Sequence, residues 1–236
     1  MNKYVFLFFS MALTFSTTGQ ESIYNELLEK HVTNSGLVDY ALFKKKEHKL
    51  DRYLRYLNTT APKAFWSENK SKAFWINAYN AYTLKLILKN YPITSILDVK
   101  KKEKTAWTIP FAFINQKAYT LDEIEHSILR KNYTDPRIHV GINCASISCP
   151  KLFNKAFTEQ NIEDRLEQLM TEFINDASKN KITKDTVVVS SIFKWFLEDF
   201  TKTKPLKSYL NTFSKTKISA KTKIAYLPYD WGLNSK

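Results

Sequence analysis

The chain has 236 residues, 36 lysines and arginines against 23 aspartates and glutamates, and a net charge of +13. Hydrophobic residues at 44% and aromatics at 14% are ample for a sizeable core. Only four glycines are present, and neither a GxGxxG nor a GxxxxGK[ST] spacing occurs, which excludes a glycine-rich nucleotide-binding loop.

A short cationic start at Met1-Asn-Lys3 precedes a mostly apolar run over residues 4–15 and the small and polar residues 16–20. That order predicts a secretory signal peptide over residues 1–20. The run falls short of the roughly 20 apolar residues a spanning helix needs. With no cysteine near the cleavage point, a lipoprotein anchor is not expected. The bland alternative is a buried N-terminal helix. The expected mature protein, residues 21–236, is a single domain exported to the periplasm or beyond the cell, with no later transmembrane segment. Its excess lysine reads as a solvated surface, and no nucleic-acid-binding motif accompanies it.

Helical spacing is expected over residues 22–33, stopped by Asn34-Ser-Gly36, and again over residues 43–57 after a short extended piece at 37–40. The strongest helix spans residues 71–90, with Phe74, Ala78, Ala81 and Leu84 on one face and Trp75, Tyr79, Tyr82 and Leu86 beside it. Residues 107–119 are aromatic and β-branched around a turn at Asn115-Gln116. A second helix over 121–130 carries a capping box, Thr120 with Glu123. Residues 137–144 read as a strand buried on both faces. A helix over 159–178, a strand over 186–190, a helix from Ser191 through Phe200, a helix over 206–213 and a strand over 224–227 complete the chain. Helix dominates and the strands are scattered, so the expected class is α+β, a helix-rich single domain with a small sheet.

Both cysteines lie in His139-Val-Gly-Ile-Asn-Cys144-Ala-Ser-Ile-Ser-Cys149. Cys144, at the end of the expected strand, is a candidate nucleophile if a neighbouring imidazole lowers its pKa. In an ideal strand His139 falls on the opposite pleat, with Arg137, Gly141 and Asn143, so a bulge near Gly141 would be needed to bring it round. His126, beside Glu125, is the other candidate base. The competing reading is a Cys144–Cys149 disulfide closing a small loop, acting as a modest staple or a redox latch. No CxxC spacing exists, and neither a metal site nor a cofactor is expected.

Asn77 and Asn80 lie in the middle of the most apolar helix, where a buried amide without partners would cost roughly 1–3 kcal/mol. They either clamp neighbouring backbone or line a pocket, orienting a histidine or donating to an oxyanion. A third cluster holds Trp195, Asp199, Asp230 and Trp231, read mainly as aromatic core. Its acidic residues are candidates to bind a sugar or basic group, cap helices or pair with Arg137 or Arg165.

The segments Lys72-Ala-Phe-Trp-Ile-Asn-Ala-Tyr-Asn80, Leu121-Asp-Glu-Ile-Glu-His126, Arg137-Ile-His-Val…Cys144-Ala-Ser…Cys149-Pro150, Ser191-Ile-Phe-Lys-Trp195…Asp199-Phe200 and Tyr229-Asp-Trp231 together resemble the family called domain of unknown function 547, from about residue 25 to the C-terminus. The resemblance implies a domain without an established reaction, in bacterial members exported and in plant members set inside larger chains. In the plant pattern the counterpart of Cys144 is kept while that of Cys149 is often replaced, which favours Cys144 acting alone. The order of a histidine before an Asn-Cys pair also resembles permuted papain-like or transglutaminase-like thiol hydrolases.

The expected activity is therefore a cysteine-dependent hydrolase or acyltransferase acting on an amide or ester. Cys144 would attack, His126 or His139 would act as base, Glu125 or Asn77 would orient the imidazole, and Asn143 would aid the oxyanion. Trp75, Asn80, Arg137, Trp195, Asp199, Asp230 and Trp231 are the binding candidates, for a small-molecule, peptide or envelope-glycan substrate. The alternative is a non-catalytic envelope protein, bridged between Cys144 and Cys149, that binds through its aromatic groove.

Overall fold

In the computed structural model, residues 17–236 are described, so the expected signal peptide lies almost wholly outside the described residues. Among the described residues, ten α-helices, one 3-10 turn (Ile96–Asp98), one π-helical segment and three small sheets make up a helix-rich α+β domain. No helix among the described residues is long and apolar enough to cross a membrane.

The organising element is α4 (Glu68–Asn90), begun by Ser67, whose side chain accepts the Lys70 N–H. At 1.5 Å per residue it runs about 34 Å through the molecule. Every residue from Lys72 to Leu84 is buried, so it has no solvent face over that stretch. Around it pack α3 (Glu47–Asn58), α7 (Ile162–Asn175) and the short α2 (Tyr40–Lys44). The long helix expected over 43–57 is two pieces, with Lys45 and Lys46 between them. The first helix, α1 (Thr17–His31), lies against α3.

Capping chemistry sets the next element. The Thr120 hydroxyl accepts the Glu123 N–H at 3.0 Å, and the Glu123 carboxylate accepts the Thr120 N–H at 2.7 Å. The turns that follow are π-helical over Glu123–Leu129, then α-helical in α5 (Arg130–Asn132). The wider winding places both Glu125 and His126 along one cavity wall.

Residues 137–144 do not form a strand. They form α6 (Ile138–Gly141), a single helical turn that breaks at Ile142. Burial on all sides explains the error, because a short apolar run looks the same in a buried strand and a buried helical turn. Gly141 ends the turn where an added Cβ would stand 2.9 Å from Leu166 and 3.0 Å from Ile76. A side chain there would force the Leu166 and Ile76 methyl ends to shift, so glycine lets α6 sit against α4 and α7 without that adjustment.

Two hairpins pair β1 (Lys100–Lys101) with β2 (Lys104–Thr105) and β3 (Ala112–Ile114) with β4 (Lys117–Tyr119). The three-stranded sheet joins β5 (Lys181–Ile182), β6 (Val187–Val189) and β7 (Ile224–Tyr226), with β6 antiparallel to β5 and parallel to β7. The helix expected from Ser191 through Phe200 is split into α8 (Ile192–Trp195) and α9 (Leu197–Thr201). The Ser191 hydroxyl does not cap it but donates to the Leu227 carbonyl at 2.6 Å. Beyond β7 the C-terminal segment folds back over the 144–149 loop: the Ile147 and Ser148 N–H groups donate to the Gly232 and Asp230 carbonyls.

The two helical asparagines are backbone clamps. Asn77 donates to the Phe157 carbonyl at 2.7 Å and accepts the Phe157 N–H at 3.0 Å. Asn80 donates to the Gly141 carbonyl and accepts the Asn143 N–H, both at 2.8 Å. Replacing Asn80 with Ala leaves two buried backbone groups unpaired. The variant should lose about 1–3 kcal/mol or more of unfolding free energy in urea, whereas Asn132→Ala, at an exposed position, should stay within about 0.5 kcal/mol.

Candidate functional site

A cavity of about 160 Å³ lies between α4, the π-helix, α6, α8 and the C-terminal segment, and both cysteines touch it. Glu125, His126, His139 and Asp122 share its wall with Tyr79, Trp107, Trp195, Phe196, Tyr229 and Trp231. Because 138–141 is helical, the alternation that set His139 apart from Cys144 does not apply, and both line one cavity.

Both thiols are free, without a disulfide between them. The Cys144 N–H donates to the Cys149 sulfur at 3.2 Å. The Cys144 sulfur lies 3.1 Å from the Ser146 hydroxyl and 3.3 Å from the Tyr229 hydroxyl, which are 3.0 Å apart. A hydrogen bond from the Cys149 thiol leads the effects on Cys144; burial opposes it, and the Ser146 and Tyr229 hydroxyls and the Ser146 N–H add to it. Together they push the Cys144 thiol down to about 6. Cys149 moves the other way, through burial first, then its hydrogen bond with Cys144, then the charge of Cys144. A thiolate here is held by uncharged donors, with no imidazolium hydrogen-bonded to it. Cys144 lies in a loop with Ala145 at φ +58°, a left-handed conformation unusual for alanine. The Asn143 side chain fixes that loop, accepting the Ala145 N–H and donating to the Pro150 carbonyl, each at 2.8 Å. Both ends of the Asn143 amide are thereby committed to backbone.

The two histidines differ in freedom. His139 is buried, stacked on Phe196 with centroids 4.0 Å apart, and its Nε2 lies 2.8 Å from Asp199. A carboxylate accepts there, so Nε2 carries the proton and Nδ1 is the basic nitrogen. Burial lowers the His139 pKa against the opposing pull of Asp199, keeping the ring neutral at neutral pH. His126 has a side chain 42% exposed and presents Nδ1 to the Arg130 guanidinium at 3.1 Å. Arginine only donates, so that lone pair is taken. Arg130 also grips Asp199 through Nε at 2.6 Å and Nη2 at 3.2 Å. Burial alone would raise Asp199, but His139 and Arg130 outweigh it and hold the carboxyl well below the usual range.

Glu125 orients neither imidazole. It accepts the Tyr79 hydroxyl at 3.2 Å, and burial, followed by the charge of Cys144, pushes it up to about 8. At neutral pH it is a carboxylic acid.

The remaining candidates lie outside the cavity or at its rim. Asn77, bonded to Phe157, and Asn80, bonded to the 141–143 backbone, hold the scaffold. Trp75 is buried between Phe74 and Tyr119. Arg137 joins Asp135 and Glu163, which also bind the buried Lys72. The Asp230 carboxylate accepts the Gly232 N–H. Asp199 pairs with Arg130 and His139 rather than with Arg137 or Arg165. Trp195 and Trp231 do line the cavity, and Trp195 is 48% exposed at its mouth. Among the described residues no group of three or more histidine, cysteine or acidic side chains could hold a metal ion.

Sequence reading missed Ser146, Tyr229, Tyr79 and Trp107. Tyr229 stands 85 residues from Cys144, a separation that no local spacing rule spans.

Residues 63–174 match the family described as Protein of unknown function, DUF547. That stretch is similar to the family; the remainder of the chain lies outside the match. The match is narrower than the expected span from residue 25: it holds α4, the π-helix, α6, the cysteine loop and α7, while Trp195, Asp199, Tyr229 and Trp231 lie beyond it. No curated protein and no solved structure matches the chain.

The donors around Cys144 generate a direct test. Cys149→Ala should raise the apparent pKa of Cys144 from about 6 towards the ordinary value of 9.0, because the largest stabiliser of the charged form is gone. Tyr229→Phe should raise it by less. The pH dependence of thiolate absorbance in the ultraviolet measures both, and an unmoved titration would disprove the donor assignment.

Proposed function

We propose that this protein is a cysteine-dependent hydrolase or acyltransferase acting on an amide or ester. The observation that carries the reading is the free Cys144 thiol, ringed by the Cys149, Ser146 and Tyr229 donors, in one cavity with the buried Glu125 carboxyl and a carboxylate-oriented histidine.

In this reading the Cys144 thiolate attacks the carbonyl carbon and forms a C–S bond. The oxyanion meets the Tyr229 and Ser146 donors that held the thiolate. As the tetrahedral species collapses, the C–N or C–O bond breaks and Glu125 gives its proton to the leaving group. Water or an acceptor alcohol or amine then attacks the thioester, with His139 Nδ1 taking its proton and Asp199 steadying the imidazolium. Release of the acyl product returns the thiolate, and the proton on His139 passes back to Glu125 through solvent. His139 is preferred to His126 because Arg130 occupies the lone pair of His126. The exported setting expected from residues 1–20 is part of the proposal, with a small-molecule, peptide or envelope-glycan substrate.

A second reading, a binding protein without chemistry, draws on the exposed Trp195 beside Tyr229 and Trp231. It requires retention of ligand by Cys144→Ala and loss on replacing Trp195 or Trp231.

Activated esters test the first reading. The wild type should form an acyl adduct on Cys144, visible by intact mass, and turn it over; Cys144→Ala should do neither while keeping its thermal midpoint. The profile of kcat/KM should be a bell with limbs at about 6, where the thiolate is lost as pH falls, and about 8, where Glu125 loses its proton as pH rises. Glu125→Gln should abolish the alkaline limb and lower the rate about 10²-fold or more, as should His139→Ala without that change of shape. Equal losses of folding and activity in Cys144→Ala would sink the proposal.

A further inference from the structure

The charge of the cavity runs against the charge of the chain. The protein carries +13, yet among the described residues no lysine or arginine lines the space around Cys144. The side chains there that can bear charge, beyond the cysteines and tyrosines, are Asp122, Glu125, His126 and His139. Asp122 sits at the open side, its carboxylate 41% exposed and 3.8 Å from His126 Nε2. The nearest guanidinium, Arg130, is bound on two nitrogens by Asp199 and offers its remaining contact to His126. Glu198, on the same helix as Asp199, also acts on Arg130. Against that one cation stand Asp199, Asp122 and, once ionised, the Cys144 thiolate.

The walls sharpen the effect. Trp107, Trp195, Phe196 and Trp231 surround the thiol with aromatic surface. The volume of about 160 Å³ is well below the roughly 300 Å³ at which ligand pockets usually begin. A group reaching the sulfur must shed much of its water. A carboxylate or phosphate would do so facing like charge, with no free donor cation to replace its hydration. Lys179, which donates to the Ile147 carbonyl of the cysteine loop, lines with Lys151 a separate cavity on which Cys149 also borders. The exposed surface lysines are screened by solvent and salt.

We infer that the cavity admits an uncharged acyl group and excludes anionic ones, with Asp122 as the specificity-determining residue at its mouth. The inference rests on the thiol acyl-transfer reading but makes a separate claim, about which substrates reach Cys144. It separates uncharged amides and esters from substrates whose acyl part ends in a carboxylate or phosphate, whatever the leaving group carries.

Alkylation of Cys144 tests it without turnover. Wild type and Asp122→Asn are treated at neutral pH and low salt with iodoacetamide, iodoacetate and 2-bromoethylammonium, and each rate is divided by that of glutathione. The normalised preference of the wild type for iodoacetamide over iodoacetate should be about tenfold or more, and Asp122→Asn should reduce it severalfold. A preference no greater than that of glutathione overturns the inference. So does a normalised rate for 2-bromoethylammonium that exceeds iodoacetamide tenfold, since the site would then be built for a cation. Strong discrimination without ester turnover leaves the inference standing and overturns the acyl-transfer reading. Turnover without discrimination does the reverse, and a thiol inert to all three reagents overturns both.

Discussion

The pair of hydrogen bonds from Asn80 to the Gly141 carbonyl and the Asn143 N–H is the constraint on which the site depends. They tie a loop with little regular structure to the most buried helix of the molecule. From there the restraint passes along the chain: Asn143, held at its N–H, uses its own amide to fix Ala145 and Pro150, each the residue directly after a cysteine. Asn234 reaches the same amide from the C-terminus at 3.4 Å. Each of these groups is buried, so each bond broken leaves a polar atom without water to replace its partner. Such a network is all or nothing, and it can hold Ala145 in a left-handed conformation that a freer loop would leave.

Within that frame, the ionisation of Cys144 is set by neutral donors. A second thiol, two hydroxyls and a backbone N–H favour the charged sulfur without placing a formal positive charge beside it. In the proposed reaction neither histidine has to activate the thiol. His139, fixed by Asp199 and stacked on Phe196, would take a proton at a later step, while His126 Nδ1 accepts from Arg130. Glu125 gains its proton from the same burial that would penalise a carboxylate. The three groups differ because their environments differ, which is how one cavity could carry the acid, base and nucleophile of the proposed reaction near neutral pH.

The cavity is assembled from two parts of the chain. The segment shared with the DUF547 family supplies the thiols, Glu125 and both histidines. The segment after it supplies Asp199 and the aromatic cover, held down by backbone bonds from Ile147 and Ser148 to Gly232 and Asp230. Tyr229, one residue before the second of those contacts, is brought to the sulfur by that pairing rather than by any property of its own helix or strand.

Much of this was legible in the sequence, for local reasons. Pattern and capping residues located α4, the Thr120–Glu123 box, the Asn115-Gln116 turn and the α10 helix (Leu206–Phe213), because periodicity and caps act within a few residues. The α+β class followed from the same local patterns. What sequence could not decide was any matter of partners at long range. A fully apolar stretch does not distinguish the α6 turn from a strand, so the faces of His139 and Cys144 were misjudged. Asparagines in an apolar helix announce that they need partners without naming them. Whether Asp199 met Arg130, Arg137 or Arg165, and which hydroxyl stood against the thiol, depended on contacts between residues 60 to 85 positions apart. Composition and local spacing carry no record of those distances; only the packed tertiary structure sets them.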